Sequence, residues 1–276
     1  MTLTDMLVQV KHELGIKYEF TVIMLGFALL LARILPVFIL TPMIGGDTTP
    51  VEVKLGLGIL IGMVIFPGIE PSLGQIPIGP VMFIAVLVKE LFIGFCISFI
   101  VSIVFDAAQV AGQLMDNMAG TNIAQIMVPS IQQQVSLYAS LKLQLFITLF
   151  LTLNGHHMVI EAVADSVVAI PLEAFPKFSH GLWPFFDLVA RVFGDMIRIS
   201  MALAAPVLLA TFLTDLALGM INRVAPQVQV FFVSMQIKPA VAVLVVFTSV
   251  HLIMARVVTE YGVMFDWLKK ALYLLT

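Results

Sequence analysis

Charge is what this chain has least of. Its 276 residues carry 14 Lys and Arg and 17 Asp and Glu, 11% in all, against roughly 25% in soluble domains. So few charges cannot cover the water-facing surface of a fold this size, which excludes a soluble enzyme. With 61% hydrophobic residues, disorder is excluded too. The net charge is −3 and no basic block occurs, so nucleic acid is not an expected partner. Cys96 is the one cysteine, so no disulfide can form within the chain, and no compartment follows from it. Catalytic signatures are missing as well: no His-Glu-x-x-His, no G-x-S-x-G, no phosphate loop, no Cys/His spacing suited to zinc. An enzyme is not expected, nor is a cofactor or metal.

What is there is apolar and long. Six segments stand out, at about 20–44, 54–69, 78–105, 141–160, 199–218 and 230–255. Most can cross a hydrocarbon core of roughly 30 Å at 1.5 Å per residue, and they are too continuous for the alternating strands of a barrel. The fold class is an all-α integral membrane protein of about six hydrophobic helical segments, arranged as helical hairpins. No repeat, low-complexity tract or linker appears, so residues 1–276 are expected to form a single helical membrane domain. The first nineteen residues mix acids with lysines and do not resemble a cleavable signal, so the first apolar segment is expected to stay in the mature protein. Between the segments, a turn is expected at 45–50, a short loop at 67–80 and a polar stretch at 106–140. A longer loop is expected at 161–198 and a tight link at 215–226. Lys269 and Lys270 favour a cytoplasmic C-terminus.

The few charges sit in awkward places. Arg33 lies inside the first segment, Lys89 and Glu90 inside the third, and Lys142, Arg198, Asp215 and Lys238 at the edges of others. A mid-span charge costs about 2.5–3.5 kcal/mol, while each Leu, Ile, Phe or Val returns only about 0.3–0.6. Lys89 and Glu90 thus cancel most of what their flanks provide. Either these charges face a polar interior or partner proteins, or they neutralise one another with no transport role. Both readings stand. His156 and His157 are adjacent, point to different helix faces, and suit an interface or helix end better than a metal.

After the third segment, Asp106, Gln109, Gln113, Asp116 and Gly120 fall on one polar helical stripe, with Ala108, Ala111, Met115 and Met118 on the other side. Beyond it Asn122, Gln125, Met127, Pro129 and Gln132 to Gln134 break the helix. The stretch is nearly uncharged yet too polar for lipid. One reading is a pore loop or plug with methionines as a deformable seal; the other is a surface-lying amphipathic connector. Pattern alone favours the connector. Gly58 and Gly62 form a Gly-x-x-x-Gly that lets helices pack closely.

Several stretches together resemble one family. They are Arg33-Ile34-Leu35-Pro36, Thr41-Pro42-Met43-Ile44-Gly45-Gly46, Pro50-Val51-Glu52-Val53-Lys54-Leu55-Gly56-Leu57, Lys89-Glu90-Leu91-Phe92-Ile93-Gly94-Phe95, Ala111-Gly112-Gln113-Leu114-Met115 and Leu153-Asn154-Gly155-His156-His157. Most specific is Gly219-Met220-Ile221-Asn222-Arg223-Val224-Ala225-Pro226-Gln227-Val228-Gln229-Val230-Phe231, with Lys238 shortly after. Over residues 20–255 the order is similar to the T/R-subunit family of the type III secretion export apparatus, flagellar FliR and injectisome SctT. The Gly-Gly turn and the His156-His157 pair lean toward the injectisome branch.

The resemblance implies a core subunit of an export gate in the bacterial inner membrane, within the secretion-system basal body. Its partners would be the P/R-type and Q/S-type membrane subunits, the U/B-type switch protein, unfolded secreted proteins, and membrane lipid. By position the family's channel plug falls at about 110–127, so Gln113, Met115, Asn117, Met118, Gly120 and Met127 would line or close the channel. Arg33, Lys89, Glu90, Asp106, Asp215, Arg223 and Lys238 would form buried polar contacts within the subunit or to partners. Two other functions remain: a stand-alone secondary transporter using Lys89, Glu90 and Asp106 as an ion relay, and a scaffold subunit with no pore-lining role. The absence of two related halves counts against the transporter.

Overall fold

In the computed structural model, the residues described are 20–46, 49–69, 73–74, 76, 79–121, 136–178 and 181–276. Every regular element among them is helical. Helix α1 is Phe20–Leu40, α2 is Val51–Ile65 followed by a 3-10 turn at Phe66–Ile69, and α3 is Pro80–Ala119. Then come α4, Leu137–Thr152, α5, Gly155–Ala169, α6, Leu182–Val224, and α7, Val230–Leu275. Five helices are long and apolar enough to cross a membrane, or six if the bent pair α4 and α5 is one span.

The third helix is the axis of the molecule. Pro80 at its first turn has no N–H to waste, and Gly120 ends it in the left-handed conformation at φ 76°. Its 40 residues make it roughly 60 Å long, about twice the hydrocarbon thickness. It packs against α1, α4, α6 and α7. Gly94 permits the closest crossing: a Cβ there would run into the backbone carbonyl of Arg33 and lie 3.2 Å from the Pro36 ring. Phe105, Phe146, Phe150, Tyr261 and Phe265 lock α3, α4 and α7 together; the Phe105 and Phe150 rings are 5.2 Å apart, and the Tyr261 hydroxyl donates to the Phe146 carbonyl at 2.7 Å. Helix α2 lies on α1, where a Cβ on Gly58 or Gly62 would stand 2.9 Å from Leu35 or Leu31 respectively.

Five expected boundaries are corrected. The stretch expected as polar from 106 continues α3 as far as Ala119, because its buried side, Ala107, Ala108, Ala111 and Met115, keeps the same helical face against the core; the break expected at Asn122, Gln125, Met127, Pro129 and Gln132 to Gln134 lies outside the described residues. The expected long loop at 161–198 is mostly helix. Asp187 with Arg191, and Asp195 with Arg198, are helix-stabilising pairs one turn apart, not signs of a loop. The link expected at 215–226 reduces to a turn after Val224, so Asp215 lies nine residues inside α6. The fourth run is broken at Leu153 and Asn154, where Asn154 takes φ 58° and the chain bends by 71°. The last apolar run also continues, to Leu275.

Candidate functional site

The intramembrane charges of α1 and α3 meet. Arg33, fully buried, pairs with Glu90, also fully buried; its Nη2 donates to Glu90 Oε1 at 2.9 Å and its Nε to Oε2. The same guanidinium reaches the end of α5, donating to the Ser166 carbonyl at 2.6 Å and the Ile170 carbonyl at 2.8 Å. Lys89 pairs with Glu90 from the other side and donates to three carbonyls of the following turn: Pro171 at 3.2 Å, Leu172 at 2.9 Å and Ala174 at 3.0 Å. Glu90 thus serves two cations at once, each of which also takes backbone carbonyls. The five carbonyls, at the negative end of α5 and just beyond, are where cations are stabilised. Adjacent residues on a helix point about 100° apart, yet Lys89 and Glu90 are both used because α1 and the turn after α5 flank α3 at that height. Glu173 in the same turn keeps one buried carboxylate oxygen, Oε2, without a hydrogen-bond partner.

The second constellation is the junction of α3 with α4. Gln113, Asn117 and Met118 are exposed, Gly120 is half-buried, and Met115 is fully buried in the core. Met115 therefore packs the helix in place, while its neighbours are presented outward. Met118, expected on the apolar side, sits with the exposed residues, and Asp116, expected on the polar stripe, is buried. Met127 lies outside the described residues. Asp106 is half-buried on α3, ten residues before Asp116.

The third is the hairpin of α6 and α7. Asp215 and Lys238 pair across it at 2.6 Å, with side chains 47% and 22% exposed. Arg223 is exposed in the last turn of α6, where a cation complements the helix dipole. Burial within the subunit, one of the two settings expected for these residues, is thus not met at Arg223 and met only partly at the pair. All three stand toward the hairpin tip, in the last turns of α6 and the first turns of α7.

Sequence reasoning missed three polar anchors. Asp116 accepts hydrogen bonds from the backbone N–H groups of Tyr138 and Ala139, each at 3.2 Å. Lys142, flagged only as a charge at a segment edge, is buried and donates to the Leu203 carbonyl of α6 at 2.8 Å. That carbonyl lies in the turn before Pro206, where a proline inside a helix opens the hydrogen-bond ladder. Ser166 completes the ring around Arg33. Their partners are 22 to 133 residues away in sequence, and no local spacing reports them.

Comparison with known proteins gives the arrangement a family. Residues 24–263 match the family described as bacterial export proteins, family 1. The chain is 29% identical to the flagellar biosynthetic protein FliR of Bacillus subtilis over 84% of its length and 89% of that protein's. It is 32% identical to FliR of Pectobacterium carotovorum, over 77% and 79% of the two chains. It is also 28% identical to Yop proteins translocation protein T of Yersinia pestis, over 79% and 83%. Flagellar and translocation relatives stand at such similar identities that neither branch is favoured. The match runs through all the elements described, from the Arg33 crossing to the tip of the last hairpin, and the chain belongs to the bacterial export protein family 1, the T/R family of the type III export apparatus.

Proposed function

We propose that this component of the type III export apparatus is a core subunit of its gate, forming and plugging a channel for unfolded protein substrates across the bacterial inner membrane. The observation that carries the reading is the end of α3. There Met115 and Ala119 are buried, while Gln113, Asn117 and Met118 stand out from the core. None of the three carries a charge, and all are small or flexible enough to close around a chain without binding one sequence. Gly120 then stops the helix, so the exposed face lies at a helix end and not in the middle of a packed span.

The wider context supports the same reading. Helices of roughly 60–70 Å, such as α3, α6 and α7, exceed any hydrocarbon core, so much of their length needs partner protein. The P/R-type, Q/S-type and U/B-type subunits are the partners proposed, within the basal body. Against the ion-relay alternative on Lys89, Glu90 and Asp106, Lys89 and Glu90 spend their hydrogen bonds on each other, on Arg33 and on backbone carbonyls. Deleting residues 115–121 in the assembled apparatus tests the gate. The expected result is a membrane leaky to small ions, counted per assembled subunit; a membrane as tight as before would refute the plug.

A further inference from the structure

Helix α4 begins without a cap of its own. Ser136 occupies the N-cap position but makes no side-chain cap hydrogen bond, although Ser is a residue that normally does. The first N–H groups of a helix have no intrahelical partner and must find one elsewhere. Here the partner comes from another helix. Asp116, 1% exposed, accepts from Tyr138 N–H through Oδ1 and from Ala139 N–H through Oδ2, both at 3.2 Å. The same Oδ1 accepts from the Thr121 hydroxyl at 2.9 Å, and the Asp116 backbone carbonyl accepts from the Thr121 N–H at 3.2 Å. A single carboxylate thus holds the residue just past the end of α3 and the first turn of α4.

Gly112, one turn earlier on the same face, brings the two backbones together: a Cβ there would overlap the backbone of Ala139. Glycine and aspartate at i and i+4 make a seam along which α3 can sit on α4 in only one rotation. That rotation turns positions 113, 117 and 118 outward. Tyr138 extends the tie, its hydroxyl donating to the Pro239 carbonyl of α7 at 3.4 Å.

We propose that Asp116 is the positioning residue of the gate: it clamps the terminal turn of α3 to α4 and so fixes the direction in which Gln113, Asn117 and Met118 face. The inference rests on the gate reading and adds to it a residue that touches no substrate. Without the carboxylate the last turn of α3, ending on a glycine, is free to fray and rotate, and the closed state loses its fixed geometry. Charge-assisted hydrogen bonds are the stronger kind, so losing both amide contacts shifts the closed state on the order of tenfold.

The test is ion leak through the complete apparatus in the membrane, with assembled subunit measured in parallel. Asp116→Ala is expected to raise the leak on the order of tenfold, and Asp116→Asn, which keeps one accepting oxygen, by less. Adding Ser136→Asp separates positioning from mere capping, because Asp at the N-cap satisfies the α4 amides locally and leaves the seam broken. The D116A/S136D variant is expected to assemble and stay leaky; tightness restored by S136D would reduce Asp116 to a cap and overturn the proposal. Thr121→Val keeps the α4 cap and removes only the hydroxyl bond. It leaves the contacts to α4 in place and is expected to be as tight as the parent; a Thr121→Val that leaks as much as D116A would assign the effect to the local bond and overturn the clamp, while D116A/S136D keeps the proposal testable if D116A does not assemble. A leak in the 115–121 deletion with none in D116A refutes the role of Asp116 alone, whereas no leak in either refutes the gate.

Discussion

Two ion-paired sites of this protein carry similar residues and live in opposite surroundings. At the crossing of α1 and α3, Arg33 and Glu90 are fully buried and Lys89 nearly so, and five carbonyls complete the set. Near the hairpin tip, Lys238 and Asp215 are bonded to each other and remain partly open. Around the first site the chain supplies partners for all three charges, Arg33, Lys89 and Glu90. Around the second it supplies little, and the neighbouring apolar side chains Phe212, Leu216, Phe231 and Phe247 are exposed as well. The same contrast appears at helix scale: half of the apolar window of α3 is buried inside the subunit, against 22% of that of α7. The difference divides the molecule into a part closed by its own fold and a part whose apolar side chains the chain itself leaves uncovered.

The largest effect is expected in the part closed by its own fold. Glu90→Ala leaves Arg33 and Lys89 buried without their carboxylate and should cost about 3–5 kcal/mol, read as loss of folded subunit on denaturant titration in detergent. Replacing the pair together, Arg33→Met with Glu90→Leu, should recover part of that loss, because the remaining Lys89 keeps its carbonyls. An ion relay predicts the reverse: normal folding in E90A with a specific loss of ion movement. Gly94→Leu comes next. It drives a side chain into the α1 backbone at Arg33 and should destabilise by about 1–3 kcal/mol or more, seen as a lower melting temperature. Asp215→Asn with Lys238→Met should change the isolated subunit least, by under about 1 kcal/mol, since the pair is partly exposed. Its consequence should appear in the yield of other export subunits that co-purify. A large loss of stability in the isolated subunit would erase the contrast.

The apolar runs report the helices well because length and hydropathy are local properties, and the family can be read from the Asn222–Arg223 stretch because a turn motif is contiguous. The partners of the charges could not be read in the same way. Glu90 reaches Arg33 across 57 residues, and the carbonyls that hold Lys89 belong to whichever residues happen to follow α5. Asp116 was visible as part of a polar stripe, but its burial depends on where α4 starts. Ser136, the obvious local cap, conceals that role. The break at Asn154 carried a local signal, an Asn-Gly pair suited to a left-handed turn, yet the apolar residues on both sides read as one run. Charged residues at 187, 191, 195 and 198 lie within the expected loop, yet their spacing is that of one helix face.

The central claim is that this subunit is completed by others, and purification of the full apparatus in mild detergent tests it most directly. The account predicts that the protein emerges in a complex with several small helical membrane subunits, and that D215N/K238M weakens this association while leaving the subunit folded. A lone, stable and active monomer, with the hairpin of α6 and α7 as exposed as it is here, would contradict it.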